Sequence, residues 1–250
     1  MNTVPNSPAD LLNSLRSNHA TSPRLSWYGP DSERVEFSGR VLDNWVAKTA
    51  NYLVDELDAA PGTVVAVDLP LHWRSLVWLL ATWAVGGTAV TADLPDGADI
   101  VATAHPADAQ ERLAGVAPAP LLVAVALPAL QMRWLGELPP RTLDYSGDVR
   151  AHADVFFADD APAPGDVAWL HDSVTTSYAA LLAQGEVMID GVTQPLPAEP
   201  QRVLLQVRDG WDAVVPAALK IWAAGGSVVL LDDGVAASDH LRSTENITLG

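Results

Sequence analysis

The chain contains no cysteine in 250 residues, which excludes disulfides, thiolate catalysis and cysteine-ligated zinc together and fits a reducing compartment. Lysine is almost as scarce. Only Lys48 and Lys220 are present, so any chemistry that needs a phosphate-binding or catalytic lysine has two candidates. With 14 Lys+Arg against 31 Asp+Glu, the formal net charge is −17. That field repels polyanions and anionic membrane surfaces, and nucleic acid is excluded as an expected partner. No apolar run is long enough for a membrane span. The most apolar window, residues 76–85 (LVWLLATWAV), is about half of the ~20 residues a bilayer demands, so it reads as a core helix and no membrane insertion is expected. The N-terminal text MNTVPNSPADLLNSLRSN lacks a basic segment followed by an apolar run, which argues against a secretory signal and for a cytoplasmic protein. No G-x-S-x-G, G-x-G-x-x-G or G-x-x-x-x-G-K-[ST] occurs, so serine-hydrolase, dinucleotide and P-loop chemistry lack their usual support. The histidines His19, His72, His105, His152, His171 and His240 are scattered without an i, i+4 pair, and no metal site is expected.

Apolar residues make up 49% of the chain, enough to bury a full core in one large or two small domains. Ser7-Pro8 before LLNSLRS gives an N-cap followed by proline at the first helical position. Residues 25–28 and 34–37 read as two strands turned by Gly29, Pro30 and Asp31, with Ser38 capping the next helix. From Gly39 to Leu57, Val41, Leu42, Trp45, Val46, Ala50, Leu53, Val54 and Leu57 recur at three- and four-residue steps, the pattern of an amphipathic helix. The β-branched run TVVAVDL over residues 63–69 suits a strand covered on both faces. A helix over 73–85, the Gly86-Gly87 break and a strand over 88–92 complete a strand-helix-strand unit. Residues 99–103 and 121–127 read as further strands.

The second half repeats the first. WAVGGTAVTAD, residues 83–93, matches WAAGGSVVLLD, residues 222–232, in register. The same offset lays the strand 203–207 over 64–68 and Ser177 over Ser38, giving one order of hairpin, capped helix, strand, helix, double glycine and strand. The fold class expected is α/β: two pseudo-symmetric lobes, each a mostly parallel sheet flanked by helices. The lobes are placed at 23–130 and 165–250, after an N-terminal helix and tail at 1–22 and around a connector at 131–164.

VEFSGRVLDNWVAKTANYLVDEL, PGTVVAVDLP and WRSLVWLLATWAVGGTAVTAD together resemble the N-terminal part of the AMP-binding, adenylate-forming enzymes such as acyl-CoA synthetases. The likeness runs from about residue 25 to 231 and rests on packing motifs, so it speaks to fold more than to function. In that family a loop of the form YTSGTTG-x-PKG wraps the ATP phosphates. At its position stands HDSVTTSYAALL, residues 171–182. Ser173, Thr175 and Thr176 overlie the family's hydroxyls, with His171 and Asp172 preceding them. Val174 and Ser177 stand where glycines are expected, and the proline, lysine and last glycine have no counterpart. A phosphate cradle needs glycines so that successive N–H groups can converge on the anion. The internal repeat offers the rival reading: Trp169 over Trp27, Asp172-Ser173 as a hairpin turn, and Ser177 as the cap of a helix from Tyr178 to Gln184. That reading is preferred.

The resemblance therefore implies a truncated, degenerate relative with no cofactor of its own. The preferred function is a non-catalytic domain that binds a small ligand or a protein partner. Two alternatives stay open: an acyl- or aryl-adenylating enzyme half completed by another chain, which alone would use ATP, AMP or CoA, and a structural assembly subunit. Ligands in open parallel sheets bind off the C-terminal ends of the strands. His72, Trp73 and Arg74 in one lobe, with Arg208 and Trp211 in the other, follow such ends and are the candidate ligand-binding residues; a plain helix start is the competing explanation of both segments. Trp45, Trp78, Trp83 and Trp222 are expected in the core, and Lys48 and Lys220 on solvated helix faces.

Overall fold

The structure is a computed structural model describing residues 5–92, 97–158, 160–183 and 185–250. It opens with α1 (Pro8–Ser17), whose first turn is closed by Ser7 Oγ accepting from the Asp10 N–H at 3.1 Å. The hairpin β1 (Pro23–Tyr28) and β2 (Arg34–Ser38) leads into α2 (Gly39–Leu57), with Ser38 Oγ accepting from the Val41 N–H at 3.3 Å. Then come β3 (Val64–Asp68), α3 (Trp73–Val85), β4 (Thr88–Thr91), β5 (Ile100–Thr103), α4 (Pro106–Arg112) and β6 (Leu121–Ala124). β7 (Thr142–Asp144) and α5 (Tyr145–Asp148) precede a second hairpin, β8 (Val167–His171) and β9 (Val174–Ser177). The remainder is α6 (Tyr178–Leu181), β10 (Val187–Ile189), β11 (Val192–Gln194), β12 (Arg202–Gln206), α7 (Trp211–Ala223), β13 (Ser227–Leu231) and α8 (Asp239–Thr244). α2 and α3 have the bounds expected from their periodicity. α6 is a single turn, shorter than the expected helix, whose far end, Gln184, lies outside the described residues.

The chain divides into two compact units. One comprises Met1–Asp43, Leu71–Trp73 and Tyr178–Gly250, the other Asn44–Pro70 and Arg74–Ser177. The first holds a four-stranded sheet in the order β12-β13-β1-β2 and the small β10-β11 hairpin; the second holds a seven-stranded sheet in the order β7-β6-β5-β3-β4-β8-β9. Both main sheets are parallel except for their last strand, β2 or β9, which turns back antiparallel. Every residue of β5 and β13 is buried, as strands covered on both faces require.

The lobes differ from the sequential blocks expected from the repeat. The first hairpin pairs with β13, from the second half of the chain, and the second hairpin pairs with β4, from the first half. Each sheet thus combines one half's strand-helix-strand with the other half's hairpin, a long-range pairing that local pattern does not encode. The stretch 131–164, expected as a connector, supplies β7, the outer strand of the seven-stranded sheet.

The repeat is reproduced bond for bond within each unit. Gly86 and Gly225 take left-handed φ values of 87° and 79°. The next glycines donate backwards, Gly87 N–H to Thr82 O at 2.9 Å and Gly226 N–H to Ile221 O at 2.8 Å. The Trp83 indole donates to Ala168 O at 2.8 Å, and the Trp222 indole to Arg24 O at 2.8 Å. Both hairpins carry a register irregularity at matching places, Pro23/Leu25 and Val167/Trp169. Asp232 closes the repeat text in the second copy; its partner Asp93 lies outside the described residues.

Candidate functional site

The segment 171–177 forms a tight hairpin. His171 pairs with Val174 across it, so only Asp172 and Ser173 form the turn. Their φ values of 44° and 69° are both left-handed, as a two-residue type I′ turn requires. Thr175 and Thr176 are neighbours on β9, so their side chains leave opposite faces and their hydroxyls cannot converge on one anion. His171 is tied down beneath the turn: its Nδ1 lies 2.6 Å from Thr91 O, and its ring stacks on Trp169 at 5.6 Å between centroids. The Asp172 carboxylate sits 3.5 Å from His171 Nε2.

The structural register also corrects the alignment of the two hairpins. Trp27 sits opposite Leu230 and Val35, while His171 sits opposite Thr91 and Val174. His171, not Trp169, is therefore the counterpart of Trp27, and Trp169 is that of Leu25. The second hairpin is the shorter because residues are missing at its tip. A left-handed serine is strained by about 1–2 kcal/mol relative to glycine. Ser173→Gly is accordingly expected to raise stability by up to about 1 kcal/mol, read as a higher urea midpoint at unchanged slope.

Of the candidate ligand-binding residues, His72, Trp73 and Arg74 are buried, where the expectation put them at an open cleft. The His72 ring meets Trp27 edge-on at 4.5 Å, and Trp73 tilts against Phe37 at 4.8 Å. Arg74 donates to Leu127 O and Pro128 O, each at 3.3 Å, with its guanidinium 5.6 Å from the Trp45 ring centre. These are packing and anchoring roles. Arg208 is exposed just past β12 and donates to Gln206, and half-buried Trp211 begins α7. Lys48 is not a freely solvated lysine: it pairs with Asp154 at 2.7 Å and donates to the backbone of Arg150 and His152. Trp78, Trp83 and Trp222 are in the core as expected, and Trp45 is half-buried. Among the described residues no three histidine or carboxylate side chains group as metal ligands.

A cluster in the first unit had no signal in sequence spacing. Glu245, only 4% exposed at its side chain, accepts from Tyr28 Oη at 2.5 Å and Arg34 Nε at 3.0 Å and pairs with Arg202. Arg34 also pairs with Glu36 at 2.8 Å, and Ser26 Oγ donates to Glu36 at 3.1 Å. Burial alone would raise the Glu245 pKa, but the hydrogen bonds from Tyr28, Arg202 and Arg34 outweigh it and hold the carboxyl below its ordinary value. Burial and the Glu245 bond push the Tyr28 phenol up. A carboxylate so saturated with donors is an anchor, not a general base. It ties the segment after α8 to the first hairpin beside a cavity of about 540 Å³.

Because the folded-state pKa is depressed, this stabilisation is complete above the ordinary value of 4.5 and is lost as pH falls through the folded value. Glu245→Ala should cost about 2–3 kcal/mol near neutral pH, less than the ~3–5 of a broken fully buried pair, because Arg34, 42% exposed, can turn to water. The difference from the parent chain should narrow in acid, which denaturant titrations at pH 7 and pH 4 would read.

Comparison with solved structures identifies the architecture. An acyl-CoA synthetase from Brucella canis superposes with a TM-score of 0.70 at 18% identity, over 96% of this chain and 46% of that one. An anthranilate CoA ligase solved with anthranoyl-AMP superposes with a TM-score of 0.66 at 14% identity, over 97% and 47%. The fold is that of the N-terminal part of adenylate-forming enzymes. The chain thus spans a little under half the length of these acyl-CoA synthetase-like structures. Among curated proteins, a TIGR03089 family protein from Mycobacterium tuberculosis (strain ATCC 25618 / H37Rv) is 29% identical over 240 residues, 95% of each chain. No family model matches the chain. Among the described residues, no helix is long and apolar enough to cross a membrane.

Proposed function

We propose that this chain is a non-adenylating domain of the adenylate-forming fold that binds a small ligand or a protein partner and uses no ATP, AMP or CoA. One observation carries the reading: the two-residue turn Asp172-Ser173, at the position where the resemblance puts the phosphate loop. A phosphate grip needs converging N–H groups, glycines that admit the anion and usually a cation. Here β-carbons stand at Val174 and Ser177, the threonine hydroxyls diverge, and Asp172 adds negative charge. The net charge of −17 weighs further against a polyanionic nucleotide.

ATP–pyrophosphate exchange against a panel of aliphatic and aryl carboxylic acids should stay at background. Exchange that Ser173→Ala or Thr176→Ala abolishes would establish the adenylating alternative instead. Ligand binding and pure assembly separate by thermal shift, since a ligand that prefers the folded state must raise the melting temperature. A stable oligomer with no response to any small molecule would favour a structural subunit.

A further inference from the structure

A cavity of about 700 Å³ in the first unit lies at the opposite end of its sheet from the one where open α/β folds bind ligands. Its lining includes Arg24 at the start of β1, Pro200 just ahead of β12, and Gly225 just ahead of β13. These are the N-terminal ends of the three parallel strands. The volume falls within the range of about 300–1,000 Å³ that holds small organic ligands.

Its chemistry is the reverse of the chain's. In a protein with 31 acidic and 14 basic residues, this cavity is lined, among the described residues, by Arg24 and Lys220 and by one acidic residue, the exposed Glu186. Arg24 is 6% exposed. Its Nη1 donates to Gly225 O and, at 3.0 Å, to Gly226 O, and its Nη2 donates to Asn18 O at 3.0 Å. Its Nε is buried without a hydrogen-bond partner. Among the described residues neither Arg24 nor Lys220 forms an ion pair. Carbonyl dipoles satisfy hydrogen bonds but leave the guanidinium's net charge unmatched in a poorly solvated place.

Unspent donors face the same space. The Lys220 ammonium uses one of its three N–H groups on Glu186 O at 2.7 Å. Ser14 Oγ accepts from Asn18 Nδ2 at 3.0 Å, which leaves its own proton to donate. The same cavity also has an apolar lining, contributed by Leu182, Leu196 and the prolines Pro195, Pro197 and Pro200.

We propose that this cavity binds a small organic monoanion, a carboxylate headgroup on a compact apolar body, with the headgroup toward Lys220 and Ser14 in the field of Arg24 and the body against the Leu182–proline wall. A neutral ligand would leave the buried charge unmatched, and a free inorganic anion would leave the apolar wall uncovered. The site goes beyond the non-adenylating reading and does not depend on it: the chain could lack adenylation and also lack this site, or have both.

The test is titration calorimetry of the full chain with benzoate and hexanoate, against benzamide, hexanamide and orthophosphate. The carboxylates should bind saturably with Kd on the order of 1 mM, and their amides at least about tenfold more weakly. Lys220→Met keeps the aliphatic stem and removes the charge; it should weaken benzoate about tenfold, while Lys220→Arg restores most of the binding. Circular dichroism melts of both variants within a few degrees of the parent keep this loss apart from unfolding. Should Lys220→Met melt early, Ser14→Ala, which removes one donor, takes its place and should weaken benzoate severalfold. Amides binding as tightly as the acids, phosphate binding alone, no saturation by tens of millimolar, or benzoate affinity unmoved by the variants would each overturn the proposal. ATP–pyrophosphate exchange reads the second hairpin, whose residues are not among those lining this cavity, so failure here and failure of the non-adenylating reading are distinguishable.

Discussion

Trp222→Ala should lower unfolding stability by about 3–5 kcal/mol. The side chain is 1% exposed, and its indole N–H reaches Arg24 O at 2.8 Å. Truncation removes a large buried apolar surface, opens a cavity the surrounding strands cannot fill, and leaves a buried carbonyl short of a donor. Against a total stability of about 5–15 kcal/mol, that loss separates a folded chain from a marginal one. Trp83→Ala should do the same in the second unit, because Trp83 is 2% exposed and donates to Ala168 O. Trp→Phe at either position should recover most of the packing while still lacking the bond, and should fall between parent and alanine variant. Chemical denaturation followed by circular dichroism would measure all four.

Gly226→Ala and Gly87→Ala should each cost about 3 kcal/mol, at the upper end of ordinary overpacking. A β-carbon at Gly226 would lie 2.5 Å from Gln201 O and 2.9 Å from the Ile221 side chain; one at Gly87 would lie 2.8 Å from Thr63 O. The obstructing oxygens belong to the backbone ahead of β12 and β3, so relief requires the strand ends to move. At Gly62 an added β-carbon meets nothing within 4 Å, and the glycine's φ of 89° alone makes alanine unfavourable there. Gly62→Ala should therefore be milder than either double-glycine variant, which separates steric contact from backbone strain. The second glycine of each pair is thus needed for contact, and the first, at positive φ, for the turn.

The legible parts of this protein were the local ones. The three- and four-residue spacing fixed α2, and the Trp-x-x-Gly-Gly text announced the turn that both units build with the same hydrogen bonds. The repeat itself revealed the order of elements. It could not reveal that the hairpins are exchanged, because β1 is as apolar as β4 or β13 demands and nothing in its sequence selects between them. Aligning the identical residues Trp169 and Trp27 puts the hairpins out of register because they differ in length. β7 has no signature in the sequence because three half-buried residues in a proline- and charge-rich stretch carry no periodicity. His72 and Arg74 looked like cleft residues because polar side chains after a strand so often are; burial against Trp27 and against backbone carbonyls decided otherwise. The Glu245 cluster joins residues more than two hundred positions apart, Tyr28 and Arg34 to Glu245, and the cavity at Arg24 is assembled from segments just as remote. No spacing rule reaches either.

The proposal that the second hairpin does no phosphate chemistry is tested most directly by calorimetric titration of the full chain with ATP and Mg²⁺. No saturable heat up to millimolar nucleotide is expected, and none should appear on Ser173→Ala or Thr176→Ala. Saturable micromolar binding that either substitution abolishes would mean that Asp172-Ser173 opens into a phosphate-gripping loop, contradicting the proposal that the hairpin keeps this chain from adenylating.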